Sequence, residues 1–594
     1  MLACLSCGSL SLAQQAPAGL KDLSKNPEWF PRFYRPYQSR TLPGPNLSNS
    51  PLVGRLLTEG KLVLSLADLK AAVRENNLDI ASAGYVAAYA ETDLLRAKGG
   101  GAPRGGAGIS IPSGLFAGAI GAGLGGSAGV GGFGSAGGIS GGARAVVVRP
   151  SGSLDPSFIL NFSQDHNTSP LNTVRVSGIP IVTSDTTTVQ ARYVQAFTSG
   201  TNISISFNNQ RQESTQLNLR FNPSVVSTFS LQFSQQLLNG FGRAANRRFL
   251  DIAENDRRMA QESIRQQVST ILAQAENAYW DLVAARENVR LAEKSLAVSQ
   301  QLQEENQARE EVGKMSQLDV VTAESEVASR RRDLVVARTN LQMRELDLKN
   351  VLSKQTDAAL AQAAVETVDP LPEPRPGDIP ELKEALTLAQ KDRPEIRLDE
   401  ENILNQAIAV KYASNLLKPT LTVFGVLGSS GLWGERYLPV LPNPTPVPFS
   451  GGWSQALRQV RSFSYPEYAF GFSFSVPLHN SSARADSARA RLEQREAETE
   501  LQQTRNQVSL EVRNAVMSLN QARVQVETSH TAAVLSAQTV DAEAERLRNG
   551  VSTSYNLILK QRDLLAAQLA EVQARVNYAK ALVELSRATG ALDK

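Results

Sequence analysis

Two stretches of this 594-residue chain read as helix for about 65–70 residues each without an interrupting proline, which at 1.5 Å per residue is about 100 Å of helix. Ordinary globular helices stop well short of that, so the pattern points to a coiled coil or a tube. The first stretch covers residues 243–312, turns at Gly313-Lys314-Met315-Ser316, and returns as a helix over 317–353. The second covers 484–549, turns at Gly550-Val551-Ser552-Thr553, and returns over 554–590. A reversal between antiparallel helices needs a residue free to adopt positive φ, and Gly313 and Gly550 supply it.

A strand with a period of two leads into each long helix. Val225, Ser227, Phe229, Leu231, Phe233 and Leu237 alternate with Thr228, Ser230, Gln232, Ser234 and Gln236. Tyr468, Phe470, Phe472, Phe474, Val476 and Leu478 alternate with Ala469, Gly471, Ser473 and Ser475. Phe158, Leu160 and Phe162 alternate with Ser157, Asn161 and Ser163, though Ile159 breaks the pattern, and Thr420 to Leu427 is apolar on both faces. A wall between lipid and water requires such alternation, but a half-buried soluble sheet gives the same signal. Four strands are expected, at about 154–165, 225–237, 419–428 and 463–478. The hairpin at 188–209, turning at Thr198-Ser199-Gly200-Thr201, and the segment 428–461 read as loops on the far side of the sheet; the hairpin could instead add two wall strands.

The chain repeats itself. Leu66, Asp68 and Ile80 pair with Leu382, Glu384 and Ile396; Phe233-Ser234 with Phe474-Ser475; Gly313 with Gly550; Asn340 with Asn577. The first unit is expected over 61–353 and the second over 381–594, joined by a linker over 354–380 rich in proline. Leu501, Val508, Val512, Val516, Leu519 and Val526 form a seam at coiled-coil spacing that a lone hairpin would leave largely bare. Four strands alone cannot close a barrel. Several copies around one axis solve both problems.

The ends and the composition add bounds. Residues 1–13 read as an export signal cut after Ser11-Leu12-Ala13; no positive leader precedes it, so the start reads as truncated. Cys4 and Cys7 fall in that segment, where a redox or metal pair is the weaker reading and a lipidation motif is poorly formed. Residues 14–60 form a proline-rich arm, and 99–143 a glycine-rich insert, read as a flexible loop rather than a membrane-facing element because each helical glycine costs about 1 kcal/mol relative to alanine. With 61 basic and 58 acidic residues the net charge is +3, and nothing argues for nucleic acid. His166, His479 and His530 lie far apart, so no metal, cofactor or enzyme site is expected.

Three segments carry a family resemblance: Phe474-Ser475-Val476-Pro477-Leu478 through Arg484-Ala485, VGKMSQLDVV at 312–321, and ARVNYAKALVELSRATGAL at 574–592. Together they resemble the TolC-like outer-membrane efflux proteins. The resemblance implies a homotrimeric α+β membrane protein, with a 12-stranded barrel of four strands per chain above a periplasmic helical tunnel. It implies a passive duct for efflux or type I secretion, set in outer-membrane lipid. The tips would dock on a periplasmic adaptor and an inner-membrane transporter of the RND, ABC or MFS class. Val312, Gly313, Lys314, Met315, Ser316, Gly550, Val551, Ser552 and Thr553 are then the docking tips. Asp319 matches the family's locking aspartate, but its partner positions hold Leu547 and Ser552, which cannot form the lock; a capping role at a helix N-terminus is the other reading of Asp319. The family's aspartate ring falls on Asn556 and Leu559, both uncharged. The alternative from another class is a soluble periplasmic coiled-coil adaptor or scaffold.

Overall fold

A computed structural model describes residues 22–26, 31, 34–105 and 154–592, apart from 173, 176, 218, 314, 376, 439–444 and 448–451. The export signal with Cys4 and Cys7, residues 106–143 of the insert and Lys314 lie outside the described residues.

The order of elements runs through twice. Two short helices, α1 (Leu66–Asn76) and α2 (Leu78–Lys98), precede four strands, then the long α3 (Arg248–Glu311) and its return α4 (Gln317–Leu352). In the second pass α5 (Leu382–Asp392) and α6 (Pro394–Leu416) precede two long strands, then α8 (Ser481–Arg548) and α9 (Ser554–Ala588); α7 (Trp453–Arg461) lies between those strands. Helix starts are fixed by local chemistry. The Asn77 carboxamide oxygen accepts from the backbone N–H groups of Asp79 and Ile80 at 2.9 and 3.1 Å, and Pro394 stands at the first turn of α6.

The main sheet is a single layer in the order β2 (Ser157–Pro170), β3 (Ile181–Ala196), β4 (Thr201–Ser214), β5 (Phe221–Gln236), β7 (Thr420–Leu438), β8 (Pro466–Ser475), every neighbour antiparallel. A short strand, Thr445–Val447, pairs with the end of β7. The four-strand expectation is therefore corrected to six long strands among the described residues. The hairpin at 188–209 is not a loop beyond the sheet: its arms are parts of β3 and β4, paired with β2 on one side and β5 on the other. The strand placed at 419–428 continues to Leu438, because Gly431 and Gly434 leave room for neighbours; a Cβ there would meet Ala456 O at 2.2 Å and Pro223 O at 2.3 Å. The remainder of 428–461 contains α7, which packs Ala456 and Val460 over the small residues of that patch.

The register sorts side chains onto two faces. Phe158, Tyr193, Ile205, Leu231, Leu427 and Tyr468 stand opposite one another across all six strands. The rows beside them carry Leu160, Phe207 and Phe229, and Ile203, Phe233 and Phe470. The other face carries Asn161, Gln190, Asn208 and Thr228. Both edge strands are bare: Phe158 is 69% and Phe470 88% exposed.

The core lies in a belt around the middle of α3. The linker, which ends in its proline-rich stretch, begins with a short helix (Ala358–Gln362) and β6 (Ala364–Thr367), which pairs in parallel with β1 (Lys61–Leu64). That small sheet buries Leu62, Leu64 and Val365 against Leu272, Tyr279, Leu348 and Leu352. The Tyr279 hydroxyl donates to Asp369 Oδ2 at 3.0 Å, and burial pushes the phenol well above its usual range. A second cluster joins α5, α8 and α9, where Val508, Val512, Leu519 and Val526 of the seam are buried. Tyr578 there donates to Asp378 Oδ2 at 2.6 Å, its pKa pushed up to about 12 by burial and that bond.

Candidate functional site at the helical tips

Each long hairpin turns through a glycine with positive φ, +71° at Gly313 and +74° at Gly550. A Cβ at either would meet nothing within 4 Å, so backbone conformation rather than space demands glycine. Gly313 N donates to Glu310 O at 2.8 Å and Gly550 N to Leu547 O at 3.1 Å. Ser316 then caps α4: its Oγ accepts from Asp319 N at 3.3 Å and donates to Asp319 Oδ2 at 2.6 Å. Thr553 caps α9 by accepting from Asn556 N at 3.4 Å. Ser552 donates to the Glu543 carboxylate.

The two tips touch. Ser554 Oγ donates to Asn306 Oδ1 at 3.2 Å, with both residues buried. Above that bond Leu302, Leu557 and Ile558 form an apolar cluster against which Val540, Ala544 and Leu547 pack. Leu547 is thus a packing residue. Asp319 is engaged by the Ser316 cap, Asn556 is exposed, and Leu559 is half-buried. The structure joins Asp319 to Ser316 rather than to the Leu547, Asn556 and Leu559 positions. At the turns, Val312 (65% exposed), Leu318, Val551 (68%) and Tyr555 are exposed apolar side chains.

An ionic link between the return helices was not foreseen from the sequence. Glu326 of α4, 5% exposed, accepts from Arg330 Nε at 2.7 Å and from Arg562 Nε of α9 at 3.1 Å. Burial raises its pKa, but the hydrogen bonds from Arg562 and Arg330 outweigh it and hold the carboxyl below the usual range. An i,i+4 Glu–Arg pair is commonplace on a helix, and Arg562 lies 236 residues away, so no local pattern marks the site.

A profile of the family described as outer membrane efflux protein matches residues 200–354 and 449–591, together just over half of the chain. The fold is similar to the outer-membrane channel OprN, at a TM-score of 0.54 and 15% identity over 92% of this chain and 94% of that one. It is similar to the Campylobacter jejuni CmeC outer membrane channel, at 0.54 and 15% over 93% and 94%. It is also similar to the outer membrane protein VceC of Vibrio cholerae, at 0.53 and 14% over 88% and 96%. No curated protein sequence matches the chain.

Proposed function

The chain belongs to the outer membrane efflux protein family, and from that premise we propose that it is a passive exit duct, standing in the outer membrane and reaching into the periplasm. The observation that carries this is the row Phe158, Tyr193, Ile205, Leu231, Leu427 and Tyr468, an apolar face six strands wide backed by a polar one. Lipid on the first and water on the second satisfies both. The long hairpins α3–α4 and α8–α9, about 100 Å in length, extend the water-filled lumen below the wall.

Three copies form the duct, each contributing two repeats of one unit. Energy comes from an inner-membrane transporter, of RND, ABC or MFS class, joined through a periplasmic adaptor. The adaptor meets the tips Val312 to Ser316 and Gly550 to Thr553, where Val312, Leu318, Val551 and Tyr555 offer it apolar contact. Asp319 engages the Ser316 cap in the first turn of α4, and the uncharged Asn556 and Leu559 leave the entrance without an acidic ring. The link from Arg562 to Glu326 holds the two return helices together near that entrance.

Fractionation followed by bilayer recording tests the reading. Outer-membrane extracts are expected to yield a complex of three 64.1 kDa chains before removal of the signal, which conducts ions in a planar bilayer. Recovery as a monomer from the soluble periplasm would overturn it in favour of a scaffold.

A further inference from the structure

We propose that this chain closes with its sister copies into a barrel of 18 strands, β8 of each copy pairing with β2 of the next. The number of copies rests on the duct reading above; the six strands per copy rest on the sheet itself.

Four observations carry the proposal. All six strands are long, between 10 and 19 residues, and each is paired with its neighbour over a continuous register save for one shift between Phe221 and Ser224 in the β5–β7 pair. The β3–β4 hairpin carries the wall's two faces in phase with the strands on either side. Val189, Ala191, Tyr193, Ile203, Ile205 and Phe207 continue the apolar face, while Thr188, Gln190, Arg192, Ser204 and Ser206 continue the polar one. A loop folded over one end of a wall has no reason to keep that phase.

The edges supply the third observation. Among the described residues, β2 and β8 each leave one side of the backbone without a neighbouring strand in the sheet, and almost every residue of both is exposed. Such edges recruit another strand. With an even number of strands, β2 and β8 run in opposite directions, so a β8–β2 joint is antiparallel like every other in the sheet. Tyr468, Phe470 and Phe472 of β8 and Phe158, Leu160 and Phe162 of β2 lie on the apolar faces of their strands, so a joint that keeps this phase continues the apolar band, with its register set by the barrel's shear.

The fourth is size. At about 4.8 Å between strands and about 40° of tilt, each strand takes roughly 6.3 Å of perimeter. Eighteen strands give about 113 Å and twelve about 75 Å. Each chain sends four helices to the sheet (α2, α3, α6 and α8), so three chains present a ring of twelve. Helices spaced by about 8–10 Å need about 96–120 Å, which the larger barrel matches without a step.

The test uses the full chain in outer-membrane vesicles, with Cys4→Ser and Cys7→Ser as background. Bimane is attached at Ala191→Cys or Phe207→Cys on the apolar face, and at Gln190→Cys or Ser206→Cys on the polar face. In the same background, β2 and β8 are scanned by bismaleimide between Phe158→Cys or Leu160→Cys and Tyr468→Cys or Phe470→Cys. The expected result is quenching by brominated lipid at 191 and 207, quenching by aqueous iodide at 190 and 206, and β2–β8 crosslinks laddering to a trimer. If trimers crosslink but iodide quenches all four hairpin positions, the hairpin lies outside the wall and the 18-strand barrel is wrong, with the duct reading intact. Loss of both trimer and membrane association in every variant overturns the duct reading as well.

Discussion

At Glu326 a carboxylate is buried yet charged, held between Arg330 on its own helix and Arg562 on the other hairpin. A carboxyl whose folded pKa lies below its unfolded one adds stability above the unfolded value and loses it as pH falls through the folded value. Distances between spin labels on α4 and α9 near the tips should therefore hold from pH 7 to 5 and widen only in stronger acid. Because the Arg562 side chain is about half exposed, the coupling in a double-mutant cycle of Glu326→Gln and Arg562→Gln should be about 1 kcal/mol in trimer stability, and a cycle at zero would refute the latch. Asp256 shows the opposite sign. Burial raises its pKa to about 6, against the hydrogen bond donated by Asn405 at 2.9 Å and helped by nearby Asp93. The folded state thus favours its protonated form, and stability falls as pH rises from the ordinary carboxylate value towards about 6. Asp256→Asn, which keeps a neutral acceptor for Asn405, should stabilise the protein at pH 8 by up to about 3 kcal/mol and do little at pH 4, read from thermal unfolding. The glycine turns were legible because positive φ is a local demand. Glu326 and Asp256 were not, since their partners lie 236 and 149 residues away.

Among the elements, strands and long helices could be read from period alone, but membership of a layer could not. Ile203, Ile205 and Phe207 alternate as cleanly as Phe229, Leu231 and Phe233 do. Nothing local tells a wall strand from a hairpin folded over its end; that is decided by pairing with β2 and β5. The continuation of β7 was hidden by its glycines, which look like a loop until α7 and Pro223 are seen to occupy the space they leave. The two faces make unequal demands on substitution. Phe470→Arg places a charge on the lipid side of the wall and should cost about 2–4 kcal/mol, lowering the yield of folded trimer. Ser473→Arg, on the polar side of the same strand, should leave trimer yield unchanged and alter ion selectivity in bilayers. Equal loss of trimer in both would remove the lipid–water distinction on which the wall rests.

On the scale of the whole chain, the two repeats are interlaced rather than set side by side. From sequence they look separable, joined by a proline-rich linker, because self-similarity reports how a unit is built and not where it packs. In the folded chain α9 of the second half buries Val576, Ala579 and Val583 in the cluster built on Leu272, Tyr279 and Leu282 of the first. Lys580 Nζ of α9 meets Asp281 Oδ1 of α3 at 2.7 Å, and Asn255 of α3 bonds Asn405 of α6 at 2.9 Å. Each buried valine is worth about 1.5–3 kcal/mol, so these contacts far outweigh a single connecting strand of chain. Both members of the β1–β6 pair lie before residue 370 and stay with the first half. A protease site inserted after Glu373, which is exposed, should therefore give two fragments that remain together, hold the trimer and conduct like the intact duct. If residues 381–594 instead separate in mild detergent, the halves are independent bodies. The helical tube would then depend on the linker, whereas this packing requires it to depend on the shared core.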